Sequence, residues 1–279
     1  MIPLAFSTNA FKKNTLDEAV SAIAAAGYRG VELMADVPHC HPGSFGADAR
    51  RALRERLDEL RLTVSNVNAF TLFADGDTYH PTWIEADAAR RAARIEHTLA
   101  CVELAAEFGS KSVSLQPGGP LIGTGFTPRQ AAARFAEGLR QILPAARKHG
   151  IVLAVEPEPG LLIQTSEEYL AFKNEFFANE ELVKMNFDIG HLFCVGEDPA
   201  AVIRKMPEQI AHVHLEDIGQ NRVHQHLAPG KGIIDFASIF KAFADTGYGG
   251  WVTVELYPYE TTAAAVAKAA HLYLAHLAS

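Results

Sequence analysis

Eight short apolar runs, each followed by a segment of helical periodicity, alternate along this chain without interruption. The runs are Leu4 to Thr8, Gly30 to Met34, Thr63 to Asn68, Lys111 to Gln116, Ile151 to Glu156, Val183 to Asp188, Ile210 to His214 and Trp251 to Glu255. Helical patterning falls on Thr15 to Ala26, Ala47 to Arg61, Ile84 to Phe108, Pro128 to His149, Glu167 to Phe177, Pro199 to Lys205, Phe236 to Asp245 and Thr261 to Leu277. Gly27, Gly109, Gly150 and Gly247 stand where helix C-caps are expected. Strands separated by helices pair in parallel. Eight such units predict an α/β fold, a single (β/α)8 TIM barrel over residues 1–279, in preference to an open doubly wound sheet. No GxGxxG follows the first run, and no linker or low-complexity tract divides the chain.

The last four runs end on Glu156, Asp188, His214 and Glu255. Barrel sites lie at the C-terminal ends of the strands, so all four side chains belong on one face. Taken singly, each is a candidate helix N-cap or a solvated loop residue. Taken together, uncompensated carboxylates buried side by side are very unfavourable, and a divalent cation is the usual remedy. Three carboxylates and one imidazole suit Mn²⁺, with Zn²⁺, Co²⁺ or Mg²⁺ as alternatives, better than a thiolate-loving ion.

The bulk properties narrow the partners. Of 279 residues, 48% are hydrophobic, enough for a large core and too many for a disordered chain. The net charge of −8 predicts no nucleic-acid partner, because a protein that grips a phosphate backbone usually presents a basic face. Three scattered cysteines, Cys40, Cys101 and Cys194, form no CxxC pair or disulfide framework, which favours a reducing, cytoplasmic setting. No run is long and apolar enough to cross a bilayer, so no membrane partner is expected.

The motifs Leu153-Ala-Val-Glu-Pro157, Asn186-Phe-Asp-Ile-Gly-His191, His212-Val-His-Leu-Glu-Asp217 and Val252-Thr-Val-Glu-Leu256 resemble those of the xylose-isomerase-like TIM barrels. That superfamily includes ketose 3-epimerases, hydroxypyruvate isomerases, inosose dehydratases and AP endonucleases of the endonuclease IV type. The resemblance implies that Glu156, Asp188, His214 and Glu255 hold one divalent ion, often Mn²⁺. It also implies that Glu156 and Glu255 move protons on opposite faces of a substrate, and that His191 contacts that substrate. A segment similar to the loop after strand seven carries His224-x-His226, which with His191 forms a possible second metal site. The endonuclease branch needs histidines at the ends of strands three and four, where this chain has Asn68 and Gln116. The resemblance therefore points to an isomerase or epimerase of a small sugar, keto-acid or cyclitol, working through a metal-stabilised enediolate. The alternatives are a dehydratase or lyase on a keto-sugar or inosose, an endonuclease IV-like phosphodiesterase, and a non-catalytic binding subunit. Relatives of this kind often assemble through barrel helices, so a homo-oligomer is a further expectation.

Several loop residues have two readings. Glu158, two residues beyond Glu156, either points into the site or shapes a proline-stiffened loop. Arg222 and Lys231 are candidate grips for a substrate anion or plain surface cations. Glu158, Arg222 and His226 thus join His191 as candidate substrate contacts. Phe70, Phe73 and Trp83 form either a wall against substrate or ordinary packing, and packing is the favoured reading. His39 and His41 are expected to be loop histidines in preference to ligands, and Gly118-Gly119 a tight turn in preference to a phosphate cradle.

Overall fold

The computed structural model describes residues 2–278, so Met1 and Ser279, the ends of the expected span, lie outside the described residues. Eight strands form the barrel: β1 (Leu4–Ser7), β2 (Gly30–Met34), β3 (Thr63–Asn68), β4 (Ser112–Leu115), β5 (Val152–Val155), β6 (Val183–Asp188), β7 (Ile210–Leu215) and β8 (Val252–Val254). Each pairs in parallel with its sequence neighbour, and β8 returns to β1 with Leu4 opposite Val252 and Phe6 opposite Val254. The sheet is closed, so no edge strand is left to pair with another chain.

The helices are α1 (Leu16–Ala26), α2 (Ala47–Leu60), α3 (Ala88–Glu107), α4 (Pro128–His149), α5 (Ser166–Phe177), α6 (Ile189–Cys194), α7 (Pro199–Lys205), α8 (Phe236–Thr246) and α9 (Ala263–Leu274). Thr15, Thr127 and Thr165 close capping boxes with Glu18, Gln130 and Glu168, which fixes where α1, α4 and α5 begin. The last helix is shorter at both ends than the expected Thr261 to Leu277, and two further differences from the sequence expectation have a local cause. The third helix starts at Ala88 and not near Ile84, because Asp87 caps it by accepting Arg90 N–H at 2.9 Å. The unforeseen α6 begins directly after β6, because Asp188 is at once the strand end and the N-cap, its Oδ1 accepting His191 N–H at 2.7 Å.

Where the apolar residues go decides what the barrel is for. Along β7 the order His212, Val213, His214, Leu215, Glu216 alternates polar and apolar, and the polar members turn inward. Glu32 in β2 sits in register with Asn66 in β3, and Met34 with Asn68. The lumen is accordingly wired by hydrogen bonds: Asn66 Nδ2 donates to Glu32 Oε2 at 2.9 Å and to Ser114 Oγ at 2.8 Å, and Ser112 Oγ donates to Asn66 Oδ1 at 2.7 Å. The large apolar core lies instead between sheet and helices, where Val31, Leu33, Val113, Leu153, Phe187 and Val213 are fully buried. Register shifts occur between Val31 and Glu32 and between Met185 and Asn186, just below the strand ends. Such irregularities re-aim the side chains that follow them.

The segment after β3, residues 69–81, runs over the barrel mouth. Arg94 of α3 holds both its ends: Nη1 donates to Ala69 O at 2.9 Å and Nε to Pro81 O at 2.7 Å. This guanidinium is fully buried, and burial pushes its pKa down to about 10. Asp36, beyond β2, fixes the middle by accepting from Thr71 Oγ1 at 2.8 Å and from Phe73 N–H at 2.6 Å. Trp83 packs on Phe135 with ring centroids 5.4 Å apart and is entirely buried, in keeping with the packing reading. Arg94→Met leaves two carbonyls without their donor and is expected to lower unfolding free energy by roughly 2–4 kcal/mol. Urea denaturation measures this, and amide exchange should rise first in residues 69–81.

Candidate metal centre

Four ligand-type atoms converge at the C-terminal end of the lumen. Glu156, just past β5, Asp188 at the end of β6, His214 in β7 and Glu255, just past β8, are all buried and offer atoms within 4.8 Å of one another. His214 Nδ1 is the hub. It lies 2.9 Å from Glu156 Oε1, 3.7 Å from Glu255 Oε2 and 4.0 Å from Asp188 Oδ2. The structure thus brings into one cluster the four residues expected at the last four strand ends. Glu156 Oε2 and Asp188 Oδ2 are buried without a hydrogen-bond partner, and unpaired carboxylate oxygens within one buried cluster are what a divalent cation satisfies. The donor set is hard oxygen plus one imidazole, so these residues fit the expected metal.

Ionisation follows from the crowding. Burial and the neighbouring Glu156 push the Asp188 carboxyl up to about 7. Burial also drives Glu158, Glu216 and Glu255 well above the usual carboxylate range, with like charges adding to it. For His214 burial acts downward, yet Glu32, Glu156 and Glu255 hold its pKa well above the ordinary imidazole value. In the metal-free protein the His214 imidazolium thus supplies part of the positive charge that a cation would bring.

A second constellation lies above the first. His191 Nε2 is 2.9 Å from His224 Nε2, which is 3.0 Å from His226 Nε2. His191 Nδ1 sits 3.1 Å from Pro157 O, and His226 Nδ1 sits 2.9 Å from Glu255 O. Carbonyl oxygens only accept, so both rings carry their proton on Nδ1 and turn a bare Nε2 inward. Asp217 organises the loop that delivers His224 and His226, accepting from the N–H groups of Gly230 at 2.9 Å, Gly232 at 2.8 Å and Ile234 at 3.1 Å. A side chain at position 232 would collide with Asp217 and Ile218, hence the glycine.

Above these ligands opens a cavity of about 340 Å³, the size range of a small-molecule pocket. Its walls include Asn9, Asn68, Phe70, Phe73, Tyr79 and Tyr257, with Glu156, Glu158, His191, His224, His226 and Glu255 as its floor and side. Glu158 accepts a hydrogen bond from Tyr79 Oη at 2.8 Å, so it faces the cavity as well as holding the overlying segment. Asn9 Nδ2 and Asn68 Nδ2 donate to Glu255 Oε1 at 2.8 and 3.1 Å. Lys12 is the only cationic side chain among the described lining residues apart from the histidines, and it is paired with Glu260 at 2.9 Å.

Some expected contacts are placed elsewhere. Arg222 is exposed, stacks on Phe193 at 4.3 Å and donates to the Phe193 carbonyl, so it does not line the cavity. The reading of Arg222 as a substrate contact is corrected on that ground. Lys231 is exposed too. His39 Nε2 sits 3.2 Å from Asn14 O, and His41 stacks on His97 at 5.7 Å, so neither reaches the centre. Phe70 and Phe73, for which packing was the favoured of two readings, line the cavity. Asn68 and Gln116 are committed as donors, Asn68 to Glu32 and Glu255, Gln116 to the carbonyls of Thr78 and Tyr79. Sequence reasoning missed Glu32, Glu216, Asn9, Tyr79 and Tyr257. The period-two alternation through Glu32 and from His212 to Glu216 was the available signal for the first two.

Among curated relatives, an inosose dehydratase of Clostridium beijerinckii is 28% identical over 261 residues, covering 88% of this chain and 83% of its own length. The solved structure of an IolI protein with a bound zinc atom superposes with a TM-score of 0.81 at 17% identity over 100% of this chain and 98% of that one. A D-psicose 3-epimerase of Clostridium cellulolyticum, solved with D-tagatose, gives 0.80 at 16% identity over 100% of both chains. No described helix is long and apolar enough to cross a membrane.

The pH dependence of stability follows from the shifted groups. The neutral buried histidines His191 and His226, with pKa values held down chiefly by burial, add stability as pH rises toward 6.5, the value around which the unfolded chain releases those protons. Above 6.5 the raised carboxyls and His214 dominate. The folded protein then binds more protons than the unfolded chain, so stability falls as pH rises through their folded values. Asp188 alone contributes a loss of about 1 kcal/mol between pH 6.5 and 8. The melting temperature of metal-free protein is expected to decline over that window, and saturating Mn²⁺ or Zn²⁺ to abolish the decline. Calorimetry in matched buffers is the check.

The family model of the xylose isomerase-like TIM barrel matches residues 20–276, and the chain belongs to that family.

Proposed function

We propose that this protein is a divalent-metal-dependent enzyme that removes the proton beside the carbonyl of a small polyol ketone and then expels the neighbouring hydroxyl as water. The observation that carries the reading is the placement of Glu156 and Glu255, just past β5 and β8, against one cavity with unpaired oxygen at its floor. The dehydratase name of the relative at 28% identity over most of this chain favours elimination over isomerisation. A cavity whose one lysine is already paired with Glu260 suits an unphosphorylated sugar or cyclitol better than a sugar phosphate.

Glu156, Asp188, His214 and Glu255 are the residues that would hold the ion, Mn²⁺ first and Zn²⁺, Co²⁺ or Mg²⁺ as alternatives. Bound there, a divalent cation supplies Lewis-acid polarisation of a carbonyl and offsets developing negative charge. Glu255, oriented by the amides of Asn9 and Asn68, accepts the carbon-bound proton. Glu158 is kept neutral by burial and nearby carboxylates and is oriented by Tyr79, so it can donate to the leaving hydroxyl. A C–H and a C–O bond break, a carbon–carbon double bond forms and water departs, with no change of redox state. His191 and His226 present bare Nε2 atoms to substrate hydroxyls, or, with His224, to a second ion. Phe70, Phe73 and Tyr79 wall the cavity beside the substrate.

Epimerisation is the second reading, favoured by the presence of two glutamates, from non-adjacent strands, on one cavity. There Glu156 returns a proton to the face opposite Glu255, and no water is lost. Incubation with inososes and ketoses in D₂O separates the two outcomes by mass spectrometry. Loss of one water supports elimination, whereas deuterium gain without mass loss supports epimerisation. Glu156→Gln and Glu255→Gln are each expected to cut turnover by roughly 10²–10⁴-fold without unfolding the chain. Wild-type rates in either variant would refute the assignment.

A further inference from the structure

We propose that Glu32, in the middle of β2, is a positioning residue that decides which ring nitrogen His214 turns toward the metal-binding carboxylates. The inference rests on the metal reading and adds a residue from a strand that supplies none of the four ligands. Glu32 is completely buried and does not line the cavity. Its Oε2 lies 2.7 Å from His214 Nε2 and accepts from Asn66 Nδ2 at 2.9 Å. Its Oε1 accepts from Asn68 Nδ2 at 3.1 Å. Two amide donors leave this carboxylate in the acceptor role, so the hydrogen on His214 must reside on Nε2. Nδ1 is the nitrogen on the side of Glu156, Asp188 and Glu255, at 2.9 to 4.0 Å from their nearest oxygens, so it is Nδ1 that would give up its proton and offer a lone pair to a bound cation. A histidine ligand whose far nitrogen is anchored on a carboxylate is both oriented and made a better donor.

A rival use of the same atoms is a separate ion held by Glu32, His212 and His214, whose ligand atoms also lie within 4.8 Å of one another. The surroundings oppose it. Asn66 and Asn68 aim N–H groups at the Glu32 oxygens, and an amide hydrogen occupies the direction from which a cation would approach. His212 Nε2 comes within 3.2 Å of Glu32 Oε2 but lacks hydrogen-bond alignment, so His214 is the better-directed partner. Asn68 also donates to Glu255 Oε1, which ties the anchor of one metal-binding residue to the orientation of another.

The test uses protein labelled with ¹⁵N-histidine and loaded with ¹¹³Cd²⁺. Coupling of cadmium to His214 Nδ1, with a proton retained on Nε2, is the expected result. Coupling to Nε2 overturns the inference while leaving the metal reading intact. Wild-type protein that binds no Cd²⁺, Co²⁺ or Mn²⁺ overturns both. Separately, Glu32→Gln and Glu32→Met are expected to weaken Co²⁺ binding by about 10- to 100-fold in spectroscopic titrations. Thermal melts verify that the variants are folded. Folded variants that bind Co²⁺ as tightly as wild type overturn the positioning role. If both variants fail to fold, the cadmium coupling in the wild-type protein decides alone.

Discussion

Six carboxyl groups share the lumen and mouth of one barrel, and everything else in the centre answers to that crowding. Glu32, Glu156, Glu158, Asp188, Glu216 and Glu255 are all buried, and among the described residues none is paired with an arginine or lysine. Coulomb repulsion among charges a few ångströms apart in a poorly screened interior is worth several kcal/mol per pair, so they cannot all be ionised without compensation. The molecule divides the problem by depth. At the bottom, Glu32 is kept ionised despite its burial, with His214 and His212 pulling its pKa well below the usual range and two asparagines solvating its oxygens. Higher up, Asp188, Glu216 and Glu255 lie well above the usual range until positive charge arrives. His214 stands between the two layers and belongs to both.

That division explains local features which otherwise look arbitrary. Gly190 follows Asp188 by two residues, and a Cβ there would come within 1.7 Å of Glu216 Oε1. The glycine exists so that the Glu216 carboxyl can tuck against α6, where neither of its oxygens finds a hydrogen-bond partner. The missing side chain also lets α6 start directly after β6, which brings His191 round to meet His224. One small residue thus couples the packing of a buried acid to the placement of a cavity histidine.

The fold and the four polar residues that cluster at the strand ends were legible in the sequence because both are local. A strand period, a helix period and a capping threonine are each written within a dozen residues. Glu156, Asp188, His214 and Glu255 stood out as polar residues terminating apolar runs. What was not legible depended on which way a strand faces. Glu32 sits inside Gly30 to Met34 and reads as an interruption of an apolar strand until β2 is paired with β3 and its even-numbered side chains turn into the lumen. Arg222 failed in the opposite way. Its charge suggested an anion grip, but its backbone has a φ of 53° and its side chain folds back onto Phe193. Tyr79 lies in a polar loop with no periodicity at all, and only the closing of residues 69–81 over the mouth brings it to Glu158.

A polar lumen also changes how stability and function are partitioned. A barrel filled with branched apolar side chains draws stability from its interior, whereas here the interior is a hydrogen-bonded network and the apolar burial lies in the shell between sheet and helices. The shell can hold the fold while lumen residues are exchanged, provided that no buried donor or acceptor is stranded. Glu32 breaks that independence. It satisfies Asn66, Asn68 and His214 at once, so removing its acceptors costs stability and ligand orientation together. Arg94 has the same double bearing on the other side of the mouth, since the carbonyls it binds begin and end the segment carrying Phe70, Phe73 and Tyr79. The geometry of the centre is therefore set by residues outside the strand-end cluster, which fix the direction of its side chains and the segment that walls the cavity above them.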